Sequence, residues 1–243
     1  ELMEARARSE SRGKWLNRYR YELGELIEIA KAITTEREID KLLGVILEKS
    51  RFITGADAGS IYVVEGDDPD PLRRTLCFKL SQNDSLKFDS REFTMPLSTR
   101  STAGYVALHV KPLRIEDVYE PPPGSEYGFD RSFDAKTGYR TKSMLCAPLL
   151  SRTGEAIGVI QLINKKRDPE KKLLGPDDLT DQVVPFDERS EALLMTLASQ
   201  AGIALENAIL SKEIERMLEG FVRASVEAIE QRDPTTSGHS LRV

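Results

Sequence analysis

A glutamine stands in a row of aliphatic side chains. Gln161 lies in the run Ala156–Ile163 (AIGVIQLI), on the same alternate row as Ile157, Val159 and Ile163. A primary amide placed there needs a hydrogen-bond partner, because an unpaired buried polar group costs about 1–3 kcal/mol. A neighbouring backbone group or a water would serve, and so would a polar ligand lying under a sheet. Upstream, Asp134, Thr137 and Thr141 share the segment DAKTGYRT. Asp and Thr carry short, stiff hydrogen-bonding groups that suit a purine edge, a ribose or a phosphate oxygen. The same residue types also stabilise loop turns without any ligand. Ala103 and Gly104 open a short apolar helix, where free N–H groups can receive a phosphate.

Strands and turns must position these groups. Ser143–Leu150 is apolar and ends at the turn Ser151-Arg152-Thr153-Gly154. Ala156–Ile163 completes a hairpin and is apolar on both faces, so both faces are expected to be covered. Earlier, Trp15, Tyr19, Leu23, Leu26, Ile27 and Ala30 recur at spacings of three and four and predict a helix over Trp15–Ala32. Thr34–Glu38 breaks that pattern and is expected to cap a second helix, Ile39–Thr54, which Gly55 closes. Gly59–Glu65 and Thr75–Leu80 predict strands, followed by a polar loop, Ser81–Asp84. Phe93–Leu97 is extended, Ser98–Ala103 a polar loop, Gly104–His109 a short helix and Pro112–Ile115 a strand. Glu120–Asp130 (EPPPGSEYGFD) is irregular and long enough to roof a site.

Lys166–Pro185 is charged, lacks periodicity and is expected to be a mobile insertion. Asp187 is a good N-cap for a last helix that runs to about Gln231. The first half of that helix carries the seam Leu194, Leu197, Ala201, Ala204, Ala208. The second carries a heptad-like seam, Leu210, Ile214, Met217, Phe221, Ala224, Ala228, and the phase slips between the two. The first half is expected to pack on the domain and the second to continue as a connector.

The residues Asp134, Thr137-Gly138-Tyr139-Arg140-Thr141, Leu145-Cys146-Ala147-Pro148, Ile157-Gly158-Val159 and Asn164-Lys165 form a spaced series. That series resembles the GAF family of small-ligand sensor domains. It is closest to those that precede mammalian-type cyclic-nucleotide phosphodiesterase catalytic domains, and to their bacterial cyclase relatives. The likeness extends over about Ile39–Leu210. It implies an α/β (α+β) fold: a central antiparallel sheet, N- and C-terminal helices on one face, and a loop-covered ligand pocket on the other. It nominates Ser60, the Thr102-Ala103 backbone, Asp134, Thr137, Thr141 and Gln161 as ligand-binding. Ser81 and Gln82 stand where the family offers an aromatic and an acid, and Gln161 replaces a further acid. Losing both acids removes acceptors for a base amino or imino group. Cyclic AMP, cyclic GMP and a non-cyclic ligand therefore all remain open.

Asn164-Lys165 and Phe186-Asp187-Glu188 resemble the NKFDE motif of these domains, with Val183 in place of a further phenylalanine. The resemblance implies a Lys165–Asp187 ion pair tying the last strand to the final helix, worth about 0–1 kcal/mol at a surface. Some GAF domains attach a linear tetrapyrrole through a Cys followed by His. Here Phe78 follows Cys77 and Ala147 follows Cys146, which argues against a chromophore. Two cysteines make no disulfide framework and read as buried free thiols in a reducing cytoplasm. His109 sits alone and reads as structural.

A second resemblance closes the chain. Arg232-Asp233-Pro234 and Gly238-His239-Ser240-Leu241-Arg242-Val243 look like the entry to an HD-GYP phosphohydrolase domain, a family that hydrolyses cyclic di-GMP at a metal centre, Fe or Mn. His239 matches its first metal-ligand histidine. One ligand makes no metal site, so no catalysis is expected of this stretch. The chain begins in helix-like sequence and stops in mid-pattern, and both ends are expected to be cuts through a longer protein.

The net charge of −5 over 243 residues gives no argument for nucleic acid. The basic stretch within Glu1–Arg20 reads as a solvated helix face. No signal peptide is visible, and no uninterrupted apolar run approaches the ~20 residues of a membrane span. The expected organisation is a signalling helix (1–36), a GAF domain (37–210), a connecting helix (211–232) and the start of an HD-GYP domain (233–243). The expected role is a cytoplasmic, homodimeric sensor, paired through its first and last helices, whose cyclic-nucleotide ligand regulates the phosphodiesterase. The alternative is a ligand-free dimerisation and relay module.

Overall fold

The computed structural model describes Gly24, residues 38–87 and residues 91–232. The expected Trp15–Ala32 helix and the His239 segment lie outside the described residues. Helix α1 spans Ile39–Thr54 and buries Leu42, Leu43, Ile46 and Leu47. Its N-cap is Glu38, which makes no side-chain capping bond, so the expected cap is absent at that residue. Gly55 ends the helix at φ 74, a left-handed conformation that costs a residue without Cβ little.

Strand β1 (Ala56–Glu65) follows, then β2 (Thr75–Asn83), β3 (Phe93–Pro96), helix α2 (Thr102–His109), β4 (Leu113–Ile115), helix α3 (Ser132–Thr137), the hairpin β5 (Met144–Leu150) and β6 (Ala156–Lys166), helix α4 (Pro176–Gln182), β7 (Val183–Val184) and helix α5 (Glu188–Arg232). The strand order is β3-β2-β1-β6-β5-β4, and every pairing is antiparallel. Strand β7 pairs with Lys165 and Lys166, past the point where β5 has ended.

Register decides the two faces. Directly paired residues share a face, so Ser81, Ser60, Gln161, Cys146 and Leu113 form one row across five strands. Alternation puts Gly59, Ile61, Ile160 and Leu162 on the other face. There α1 comes so close that a Cβ on Gly59 would lie 2.8 Å from Leu47 Cδ1. Helix α5 lies on that face too, where Arg114 reaches Glu191 at 3.8 Å. A Cβ on Gly202 would lie 2.2 Å from the Leu150 carbonyl oxygen.

The face carrying Ser60 is covered by α2 and by the chain from Glu116 to Ser143. Leu76, Leu97, Val106, Ile115, Val118, Met144 and Val159 form a core there, with Tyr62, Tyr105, Tyr119, Tyr127 and Phe129 packed against it. The Pro-rich segment docks by backbone and ring contacts. The Gly128 N–H donates to the Thr99 carbonyl at 3.2 Å, Tyr127 meets Tyr105 edge-on at 5.7 Å, and Phe129 lies 5.8 Å from Tyr119.

Four expectations are corrected. Ser81–Asn83 is not a loop but the end of β2, because its backbone is paired to Ser60, Gly59 and Ala58. Helix α2 starts at Thr102, two residues early, because the Ser101 hydroxyl accepts the Gly104 N–H at 3.0 Å. The segment read as a loop at Asp134 contains α3. Lys166–Pro185 is no unstructured insertion: Lys166 ends β6, and α4 and β7 follow.

The described residues fall into two compact units divided after Leu205. Within the first, α5 buries Leu194, Leu197, Ala198, Ala201, Ala204 and Leu205. Within the second, Leu210, Ile214, Met217, Leu218 and Phe221 are exposed. By length and hydropathy α5 would suit a bilayer, which amends the expectation drawn from uninterrupted runs. Much of that apolar character belongs to the stripe buried in the first unit.

Candidate functional site

Gln161 finds its partners within the chain. The Ser60 hydroxyl donates to its Oε1 at 3.1 Å. Its Nε2 donates to Thr102 Oγ1 at 2.9 Å and to Met144 Sδ at 2.8 Å. Ser60, Thr102 and Gln161 are all buried. A thioether is a weak acceptor, so one amide N–H is held less firmly than the other. Beside Ser60, the Ser81 hydroxyl is buried and makes no hydrogen bond. Ala103 is buried on the first turn of α2. Ser101 takes the N–H groups of Gly104 and Tyr105, which leaves those of Thr102 and Ala103 outside the helix ladder. Ser60, Ser81, Thr102, Ala103 and Gln161 thus form one set at the centre of the sheet.

Asp134 and Thr141 form a second set. Asp134 Oδ1 accepts the Thr141 hydroxyl at 2.9 Å, and Oδ2 accepts the Thr141 N–H at 2.8 Å and the Tyr119 hydroxyl at 3.0 Å. Thr137 belongs to neither set. Its hydroxyl donates back to the Phe133 carbonyl at 2.9 Å, a bond within its own short helix. Among the described residues, no hydrogen bond joins the two sets. Gln82 faces away from both, bonding the Gly44 carbonyl at 2.9 Å on the α1 side.

Tyr119 links the second set to the roof. The guanidinium carbons of Arg131 and Arg140 lie 4.3 and 3.2 Å from its ring centre. Arg140 Nη1 is buried without a hydrogen bond. Sequence inspection gave Tyr119 and Met144 no role, because their partners sit on other elements.

Behind the second set lies a buried charge network that the sequence did not announce. Asp57 is wholly buried and accepts three side chains: Lys166 Nζ at 3.0 Å, Ser85 Oγ at 2.7 Å and the Tyr139 hydroxyl at 2.8 Å. Arg51 donates to the Asp57 carbonyl at 2.8 Å and pairs with Asp84. Burial, then the nearby Asp57 carboxylate, pushes the Tyr139 phenol well above its ordinary value, so it stays a donor. The only available signal was Asp57 itself, a charge entering an apolar strand.

Lys165 Nζ meets Asp187 Oδ2 at 2.8 Å, while Asp187 Oδ1 accepts the Ser190 N–H at 2.8 Å. Asp187 is both ion-pair partner and helix cap. Burial pushes the Cys146 thiol up to about 12 and raises that of Cys77, which disfavours the thiolate in both. The His109 ring lies 2.9 Å from the Tyr105 carbonyl and stacks on the Tyr105 ring. Among the described residues no group of three or more His, Cys, Asp or Glu side chains could hold a metal ion.

A six-stranded antiparallel path with its hairpin, helices on one face and a roofed polar row on the other already narrows the fold. The GAF domain family model matches residues 38–205. The chain belongs to the GAF family. Its curated relatives include the dual 3',5'-cyclic-AMP and -GMP phosphodiesterase 11 of Drosophila melanogaster, 32% identical over 146 residues, or 58% of this chain and 10% of that protein. The cGMP-specific 3',5'-cyclic phosphodiesterase of the same species is 28% identical over 193 residues, covering 77% of this chain and 16% of that protein. The chain thus spans a small fraction of these relatives' length. Among solved structures, the GAF domain of a Coxiella burnetii phosphoenolpyruvate-protein phosphotransferase aligns with TM-score 0.57 at 16% identity, covering 79% of this chain and 96% of that one. Residues 122 to 287 of a methyl-accepting chemotaxis protein align with TM-score 0.55 at 20% identity, covering 76% and 98%. These structural likenesses carry the GAF fold alone.

Proposed function

We propose that this GAF domain is a regulatory sensor that takes a cyclic nucleotide, cyclic AMP or cyclic GMP, on the face carrying Ser60. The observation that carries this is the polar row Ser81–Ser60–Gln161 set beneath the first turn of α2 in an otherwise apolar layer. A row of that kind is costly to bury unless it has hydrogen-bonding work to do. The activities of the curated relatives support the ligand class. The free first-turn N–H groups of α2 would take the phosphate. Asp134 and Thr141 would exchange their mutual bonds for ribose or base contacts when the Glu120–Asp130 roof lifts.

The regulated partner in this proposal is an HD-GYP cyclic di-GMP phosphodiesterase with an Fe or Mn centre, entered at His239 and reached through α5, in a cytoplasmic protein. The exposed residues Leu210, Ile214, Met217 and Phe221 recur every three or four positions. That spacing suits a parallel coiled coil with a second copy of the chain, a homodimer formed without membrane or nucleic acid.

Isothermal titration and thermal shift with each nucleotide test the ligand. Binding of at least one, lost in Gln161→Ala, is the expected result. No heat and no shift with either would remove the sensor proposal. A specific observation favours the second reading, a ligand-free relay: the amide of Gln161 and both oxygens of Asp134 already have partners within the chain. Under it the protein dimerises and binds neither nucleotide.

A further inference from the structure

Three consecutive residues at the end of β6 grip two different parts of the fold. Asn164 is wholly buried and has φ 56, where the strand leaves β5 and takes up β7. Its Oδ1 accepts the Lys142 N–H at 2.8 Å, and its Nδ2 donates to the Arg140 carbonyl at 2.9 Å and the Tyr139 hydroxyl oxygen at 3.1 Å. Lys165 reaches the other way, donating from Nζ to Asp187 Oδ2 and Ser190 Oγ, both at 2.8 Å, on the first turn of α5. Lys166 anchors the pair by its buried bond to Asp57, which also holds the Tyr139 hydroxyl.

We propose that Asn164 couples the Gly138–Lys142 segment to the first turn of α5. The segment follows α3 directly at Gly138, whose φ of 72 closes that helix. If it shifts, the wholly buried Asn164 amide loses partners, and each unpaired buried group is costly. The amide therefore follows the segment. The Lys165 N–H is held by Ser143 Oγ at 3.1 Å, one residue past the segment, so the contact runs on into the peptide joining Asn164 to Lys165. The α5 cap is bound to the very next side chain. Coupling of this kind is a property of the fold and does not depend on what the sensor face binds.

Hydrogen exchange on the whole chain without ligand tests it. Asn164→Gly keeps the left-handed backbone and deletes the amide. Lys165→Met keeps the stem and deletes the ammonium. Coupling must be reciprocal. Asn164→Gly is expected to speed exchange at Ser190 and Glu191 by roughly fivefold or more, and Lys165→Met to do the same at Thr141 and Lys142. Leu76→Val, a core change on β2 away from both readouts, controls for general loss of stability. If Asn164→Gly fails to fold, the Lys165→Met arm still decides, because the coupling requires it to speed exchange at Thr141 and Lys142. Exchange that rises only on the mutated side, or no more than in Leu76→Val, would overturn the proposal.

Discussion

Tyr139 donates its hydroxyl to Asp57 Oδ2 at 2.8 Å, joining the segment after α3 to the first residues of β1 across 82 positions of sequence. Both residues are buried, and Lys166 completes the arrangement from β6. The bond pins one end of the roof to the sheet, while the Pro-rich end rests on ring and backbone contacts.

Tyr139→Phe removes the hydrogen bond to the Asp57 carboxylate and the one accepted from Asn164, and is expected to cost at least about 1.5–3 kcal/mol in urea unfolding. Lys166→Met leaves Asp57 buried beside an uncharged stem and is expected to cost about 3–5 kcal/mol. A Lys166→Met loss below that of Tyr139→Phe would mean that Tyr139 and Ser85 suffice to hold the Asp57 carboxylate.

Asp187 separates two roles. Burial raises its pKa, but the hydrogen bonds from Lys165 and Ser190 outweigh this and hold the carboxyl well below its ordinary value. Its folded pKa is depressed, so its stabilisation is complete above the unfolded value near ~4 and is lost as pH falls below it. The side chain is 59% exposed, so solvent screens the pair. Asp187→Asn keeps a good cap and is expected to cost about 0–1 kcal/mol at neutral pH while weakening the acid dependence. Asp187→Ala should cost about 1 kcal/mol more. Denaturant titrations at pH 3 to 7 measure both.

Two helical glycines should respond in opposite directions. Gly202→Ala drives a Cβ into the Leu150 backbone and is expected to destabilise by about 1–3 kcal/mol or more. Gly220 has nothing within 4 Å of that position, so Gly220→Ala is expected to stabilise the helix by about 0.5–1 kcal/mol. Thermal unfolding followed by circular dichroism distinguishes them.

The thiols offer a check on the core. Cys146 is buried with its pKa pushed up to about 12, and Cys77 is buried as well. Neither is expected to react with a thiol reagent at pH 8 until the protein is unfolded. Rapid labelling of the native protein would show that the layer over Cys146 opens readily.

Local pattern was enough for the hairpin at Ser151–Gly154, the closing Gly55, the cap at Asp187 and the buried stripe of α5. Each of these depends on residues a few positions apart. The series from Asp134 to Lys165 was enough to point to the GAF family. The same pattern missed the end of β2, because Ser81, Gln82 and Asn83 look like loop residues until Ser60, Gly59 and Ala58 pair with them. It also missed α4 and β7, where a charged segment is held by docking.

Sequence alone therefore determined most of the stretches that become strands and helices, and that Gln161 would need a partner. Only tertiary structure decided who that partner is: Ser60 lies 101 positions away and Thr102 lies 59. It also placed Asp57 against Tyr139 and Lys166, and turned Thr137 back onto its own helix. The reason is physical. Caps and periodicities are satisfied by neighbours along the chain, whereas a buried polar group must be met by whatever the register of the sheet brings opposite it.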